Sequence, residues 1–271
     1  MQYDPIKRSL GRVFNKTPFL RKLFYRLLDI LLLRSWHVRK ELKTWAGLNA
    51  GRKKLNILDA GSGFGQYTWF LSGLKLDTEI LAVDVKEEQI ADCNAFFGRA
   101  NRKTVRFEKA DLTSFRKPGL FNLILSVDVM EHIAEDEKVF ANFHESLANQ
   151  GMLIISTPSD QGGSDVHDPA EGESFIDEHV RDGYNIVDIQ QKLRNAGFSR
   201  TEARFTYGKP GQLGWKLSMK YPILMLNASK LSFIILPFYY LLAFPFALLF
   251  NYIDLHSTHK SGTGLIVKAW K

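Results

Sequence analysis

The stretch from Asn56 to Gln66, NILDAGSGFGQ, constrains this chain more than any other. Its apolar pair Ile57 and Leu58 leads into a carboxylate, Asp59, and then into a turn carrying Gly61, Gly63 and Gly65. An apolar, aromatic segment from Tyr67 to Leu71 follows at helical spacing. A short buried strand, a glycine turn and a helix start make the first third of a nucleotide-binding β-α-β unit. Glycine is needed there because only a residue without Cβ lets the backbone turn tightly and approach a ligand. The spacing departs from the dinucleotide fingerprint G-x-G-x-x-G, because Gln66 stands where the third glycine would fall. Asp59, just before the turn, would repel a pyrophosphate and attract an ammonium. A ligand with an amino acid at one end and a nucleoside at the other fits this turn better.

The next hundred residues extend the pattern. Thr78–Asp84 reads as a second strand ending in an acid 25 residues after Asp59, where one carboxylate can accept from both hydroxyls of a ribose. A third strand signal from Val105 runs to Asp111 and Leu112, and a fourth, Phe121–Val127, runs into Asp128, Glu131 and His132. In order and spacing, residues 55 to 157 resemble the class I S-adenosylmethionine-dependent methyltransferases, and among them the small-molecule enzymes of the ubiquinone and menaquinone pathways. The resemblance implies an α/β fold, a Rossmann-like doubly wound sheet of seven strands with an antiparallel last strand. It also assigns cofactor positions. Asp59, Gly61, Gly63 and Gly65 fall at the methionine end, Asp84 at the ribose, and Asp111 and Leu112 at the adenine, with Val85 and Ser126 also among the cofactor-binding residues.

The family does not fix its catalytic groups. Asp128, Glu131 and His132 follow strand four, where the transferred methyl points in related enzymes. A long loop after Ser156–Pro158 carries His167 and then the run Phe175–Tyr184, and loops of such length in compact domains are usually functional. In related methyltransferases this region covers the acceptor. His179 is therefore the first choice for general base, since imidazole titrates near working pH. His132 is the second choice, Glu131 lines the same end, and Tyr184 is an orienting group. His144, on an amphipathic helix over 135–148, reads as a surface residue. The Asp128-x-x-Glu131-His132 order also resembles the acid-x-x-Glu-His sequence of metal-assisted ubiquinone-pathway O-methyltransferases and small-RNA ribose methyltransferases. No metal is the main expectation. In the alternative, Asp128, Glu131 and His132 would hold a divalent ion, Mg²⁺ by oxygen ligation or Zn²⁺ through the histidine.

At 271 residues the chain exceeds what such a sheet needs. The lone Cys93 excludes an internal disulfide, and Asp29 interrupts the apolar run Leu27–Leu33, which does not read as a secretory signal. Residues 1–54 carry 14 Lys and Arg against three acids, whereas the rest carries 22 against 26, so the excess positive charge is N-terminal. Within it, Thr17 and Pro18 signal a helix start, and Leu20, Leu23, Phe24, Leu27, Leu28 and Leu31 recur as one stripe, with Arg21, Lys22 and Arg26 off it. Such a helix packs over a cofactor site or lies on an anionic membrane; phosphate contact with RNA is the third reading.

Leu231 to Phe250 is an uncharged run of twenty, long enough to span a bilayer. It lies between the strand six signal Thr201–Tyr207 and the strand seven signal Gly264–Trp270, which must share one sheet. A single crossing is therefore excluded, and Pro237 and Pro245 are expected to kink or break a straight helix. The domains read as a basic helical segment 1–54, a core 55–210, an apolar helical hairpin 211–256, membrane-docking or lid, and the last strand 257–271. The function expected is methylation, at O or N, of a lipophilic small molecule (quinone precursor, lipid or polyene-like) at the cytoplasmic membrane face by a peripheral or monotopic enzyme. An RNA ribose methyltransferase would have no use for the apolar run. A membrane-associated scaffold with a vestigial cofactor site conflicts with the intact acids. Nothing in the sequence sets the oligomeric state.

Overall fold

A computed structural model describes residues 17–162, 180–229 and 232–271. Helices α1 (Pro18–Leu31) and α2 (Leu33–Leu48) precede the sheet. There follow β1 (Leu55–Ala60), α3 (Gln66–Leu71), β2 (Thr78–Asp84), α4 (Glu87–Arg99), β3 (Val105–Lys109) and β4 (Phe121–Val127). A 3₁₀ turn (Met130–His132) leads to α5 (Asp136–Ser146), β5 (Leu147–Pro158), α6 (Ile186–Asn195) and β6 (Arg200–Thr206). Then come α7 (Lys209–Trp215), a π turn (Lys216–Lys220), α8 (Tyr221–Ala228), α9 (Ser232–His256) and β7 (Gly264–Trp270).

The seven strands lie in the order β3-β2-β1-β4-β5-β7-β6. β1 pairs in parallel with both β2 and β4, so the strand order reverses beside it and a crevice opens at the carboxyl ends of β1 and β4. β7 pairs antiparallel with β5 and β6, as expected of the last strand. Alternation along each strand makes two cores. Leu58 and Ala60 pack with Phe140, Phe143 and Leu193 on the α5–α6 face, while Leu55 and Ile57 pack with Trp45, Phe96 and Phe97 on the other. β5 splits in the same way, with Leu153 and Ile155 to one core and Met152 and Ile154 to the other.

Several sequence boundaries move. β3 ends at Lys109, two residues before Asp111, and β5 runs on through Ser156–Pro158. Thr17 caps α1, accepting from the Leu20 amide at 3.2 Å, but the helix is rotated from the expected arrangement. Arg21 and Tyr25 are its buried residues, and Leu23 and Leu27 from the apolar stripe are exposed along with Phe19 and Ile30. The cause is tertiary: Arg21 and Tyr25 bond to the glycine turn. His144 is also not a plain surface group. Its ring stacks edge-on to Phe198 at 5.2 Å and lies over Gly197, and burial lowers its pKa.

Helices α7 to α9 fill the connection between β6 and β7. α9 continues across Pro237 and Pro245 as one 25-residue element, so the prolines do not end it. Proline removes one donor and crowds the carbonyl four residues back, so each weakens the helix without interrupting it. Its burial is inverted relative to a soluble helix. Asn251 and Asp254 face the protein, while Leu241 and Leu242 are 74% and 73% exposed. Asp254 anchors the hairpin. Its carboxylate takes His37 Nε2 at 2.9 Å, the Tyr207 amide at 3.2 Å and the Gly211 amide at 3.0 Å.

Candidate active site

The glycine turn is built from β2 outward. The amides of Gly61 and Ser62 both donate to the Val83 carbonyl at 2.9 Å, and the Gly65 amide closes onto Ser62 at 2.8 Å. Gly61 (φ +83°) and Gly65 (φ +76°) hold left-handed backbone, and a Cβ at Gly61 would run into Val129. At Gly63 (φ +50°) an added Cβ would meet nothing, so this part of the turn faces open space. Asp59 is buried beneath the turn and accepts from Thr68 Oγ1 at 2.5 Å. Burial pushes its carboxyl up to about 6, against the hydrogen bond from Thr68. Asp84 accepts from the Gly63 amide on one oxygen and the Lys86 amide on the other, both at 2.9 Å. Each oxygen keeps a lone pair for a further donor.

Two hydroxyls at this crevice lack protein partners. Ser62 Oγ in the turn and Ser126 Oγ near the end of β4 are buried without a hydrogen bond. A buried hydroxyl left unpaired costs free energy, so a polar ligand here would satisfy both. Asp111 is exposed; its Oδ1 accepts from the amide and hydroxyl of Thr113, both at 2.8 Å. Val85 is exposed beside Asp84. Leu112 buries its side chain in the α5–α6 core, which leaves only its backbone for a ligand.

The N-terminal helices close the outer side of the turn. Arg21 Nη2 donates to the Phe64 carbonyl at 2.9 Å and to Cys93 Sγ at 3.0 Å, while its Nε bonds to Tyr25 Oη at 2.9 Å. Tyr25 Oη also donates to the Phe64 carbonyl at 2.5 Å. Gln66 donates to Asp29 at 2.9 Å and to Ser35 at 3.0 Å. At the end of β4, Asp128 (φ +51°) forms an ion pair with Arg34 of α2. The Arg34 amide donates to Tyr207 Oη at 2.9 Å, and its guanidinium hydrogen-bonds to Tyr67. Glu131 is buried, accepts from Thr157 Oγ1 at 3.1 Å and has its pKa raised, burial outweighing the nearby Arg34 and His132.

A methyltransferase-domain family model matches residues 57–151. Phosphoethanolamine N-methyltransferase 1 of Zea mays is 27% identical over 175 residues, 60% of this chain and 31% of the relative. The ubiquinone biosynthesis O-methyltransferase of Rickettsia akari is 24% identical over 115 residues, 42% of this chain and 45% of the relative. Among solved structures, phosphoethanolamine N-methyltransferase 2 of Haemonchus contortus, with phosphomonomethylethanolamine and S-adenosylhomocysteine, superposes with a TM-score of 0.59 at 17% identity, covering 86% of this chain and 52% of that one. Residues 57–151 thus match a methyltransferase domain, and the sheet around them has the fold of the S-adenosylmethionine-dependent methyltransferases. The chain spans about a third of the length of the phosphoethanolamine relatives it matches, 31% of the first.

The predicted residues divide. Asp59, Gly61, Gly63, Gly65 and Asp84 are held around the turn by the hydrogen bonds above, and Ser126 lies beside Ala60 in the β1–β4 pairing. Tyr184 does not behave as an orienting group. Its hydroxyl donates to Asp136 at 2.8 Å and contacts Arg181 inside the core, which satisfies it. His132 is exposed on the 3₁₀ turn, and His167 and His179 lie outside the described residues. Among the described residues no three His, Cys, Asp or Glu side chains converge on a metal position. The alternative trio fails by geometry: Asp128 pairs with Arg34, Glu131 turns inward to Thr157, and His132 faces out. Arg34, Tyr67, Thr157 and Tyr207 gather around Asp128 and Glu131 and were not singled out from sequence. Only the basic character of residues 1–54 hinted at Arg34.

Proposed function

We propose that this chain transfers a methyl group from S-adenosylmethionine to an oxygen or nitrogen of a lipophilic small molecule, at the cytoplasmic face of a membrane. The observation that carries the cofactor half is the pair of unpartnered buried hydroxyls, Ser62 and Ser126, beside open space at Gly63. Bound there, the cofactor supplies an electrophilic sulfonium methyl. Asp59 would attract its ammonium, and the lone pairs left on Asp84 would accept two ribose hydroxyls. Ser62 and Ser126 would complete its polar contacts. Alignment then does most of the work in a direct displacement. Glu131 and His179 are the residues we assign to proton removal, Glu131 because burial raises the proton affinity of its carboxylate. Arg34 and Asp128, paired with each other, would position the acceptor beside them.

The lipophilic half rests on α9, which is long and apolar enough to cross a membrane yet exposes its apolar side chains. The antiparallel register of β6 and β7, Thr206 beside Gly264, returns both ends of the hairpin to one sheet, so α9 and its partner arm would dock in one leaflet. Relatives named for phosphoethanolamine and ubiquinone chemistry include both N- and O-methylation. The test is vesicle flotation of the full chain at low and high salt. Salt should leave binding intact, whereas L241D/L242D, which alters only exposed positions, should float at low salt alone. A wild-type protein that stays monodisperse and unbound in the presence of vesicles would remove the membrane from the proposal and leave α9 as a lid.

A further inference from the structure

Helix α1 has two dissimilar faces. Its inner face holds the cofactor turn: Arg21 and Tyr25 both donate to the Phe64 carbonyl, between Gly63 and Gly65. Arg21 is only 2% exposed, and an arginine is so buried only where its donors are met. Its outer face carries Phe19, Leu23, Leu27 and Ile30, spaced four, four and three residues apart and all exposed. Lys22 and Arg26 flank this stripe and are exposed as well. A single extended residue, Leu32 (φ −94°, ψ 109°), joins α1 to α2, which makes a natural pivot.

The charge selects the occupant of the outer face. The preceding sixteen residues add Lys7, Arg8, Arg12 and Lys16 against Asp4 alone. A second copy of this chain would bring the same cationic surface against itself, whereas an anionic bilayer complements both the stripe and its flanks. We propose that an anionic membrane surface holds α1 against the glycine turn, so that lipid and S-adenosylmethionine bind cooperatively. This rests on the membrane reading above and deepens it: the hairpin attaches the protein, and α1 reports that attachment to the cofactor site. The coupling is reciprocal, because both ligands favour the state in which Arg21 and Tyr25 hold Phe64.

The experiment is calorimetry of S-adenosylmethionine binding to the full chain without vesicles, with phosphatidylcholine vesicles, and with vesicles containing phosphatidylglycerol. Anionic vesicles should tighten binding by about fivefold or more, the lower end of ordinary allosteric coupling. L23S/L27S and, separately, R26E should keep the lipid-free affinity and melting temperature, still float through α9, and lose that gain. Amide exchange in α1 should slow on anionic vesicles in the wild type alone. Wild-type protein that floats with unchanged affinity would overturn the inference and spare the membrane reading, as would variants that retain the gain. A chain that does not float at all sinks both. A lipid-free dimer that L23S/L27S dissolves would assign the stripe to a second copy and overturn the inference.

Discussion

Replacing Asp59 by asparagine should stabilise this protein and disable it in one step. The carboxyl is buried under the glycine turn and pushed up to about 6 from an ordinary 3.8, chiefly by burial, with Asp84 adding repulsion. A shift of about two units amounts to about 3 kcal/mol by which the folded state disfavours the charged form. Because the folded value is raised, the stability Asp59 contributes is full below its unfolded pKa of about 3.8 and is lost as pH rises through about 6. Asparagine does not titrate and can still accept from Thr68. Its amide brings two donors that need partners, which trims the gain to about 2 kcal/mol at pH 8. In a domain of this size that is a rise of about 4–8 °C in melting temperature. At pH 5 the wild type still keeps roughly half of the contribution, so with the same offset from the added donors the difference should shrink to about 0.6 kcal/mol, roughly a third of its value at pH 8. Thermal melts of cofactor-free protein at pH 5 and pH 8 read this directly, and calorimetry at pH 8 should show S-adenosylmethionine binding weakened by about tenfold or more. D59N protein no more stable than wild type at pH 8, or a gain independent of pH, would refute the placement of a strained charge under the turn.

Other perturbations test the remaining parts. Asp84→Ala should weaken cofactor binding in calorimetry by about tenfold or more, about 1.4 kcal/mol, and unchanged affinity would remove Asp84 from the ribose. Glu131→Gln and His179→Ala should each be measured in single turnover; the variant that removes the base should fall by about 10²–10⁴ with cofactor affinity kept. If Glu131 is that base, the wild-type rate should decline as pH falls through a value above the ordinary glutamate range, since burial raises it, and E131Q should lack that limb. Tyr184→Phe should cost about 1–2 kcal/mol of stability through its lost bond to Asp136 and leave the single-turnover rate unchanged. Gly61→Ala should cost about 1–3 kcal/mol or more, from positive φ and the clash with Val129, seen as a lowered melting temperature.

The parts of the site legible in the sequence are those whose function is tied to local order. Asp59, the three glycines and Asp84 sit at strand ends, and a strand that ends in the crevice carries its last residue there whatever the rest of the chain does. β7 was legible to the residue because its own apolar run is a local feature, although the whole apolar hairpin separates it from its partner β6. The cluster around Asp128 was not legible, since it is assembled across the sequence. Arg34 reaches Asp128, Tyr207 reaches back to the Arg34 amide, and no spacing rule joins positions so far apart. The same holds for Arg21. Counted by periodicity it belongs to the polar side of α1, but the Phe64 carbonyl and Cys93, supplied by distant segments, make the interior its better environment. Tyr184 failed in the opposite direction: a polar residue beside a functional loop found its partner, Asp136, in the core.

The position of β7 sets an order of events. It follows the apolar hairpin in sequence yet lies between β5 and β6 in the sheet, so until Gly264–Trp270 arrives β5 is paired on one side only and β6 on neither. During synthesis β6 is therefore an unpaired edge while α9 is already made, and its leucines and phenylalanines have no finished domain to carry them. The stage of greatest exposure is the one just before the sheet closes. A surface that captures the hairpin at that moment would keep the nascent chain from aggregating and would fix the enzyme's address before its fold is complete.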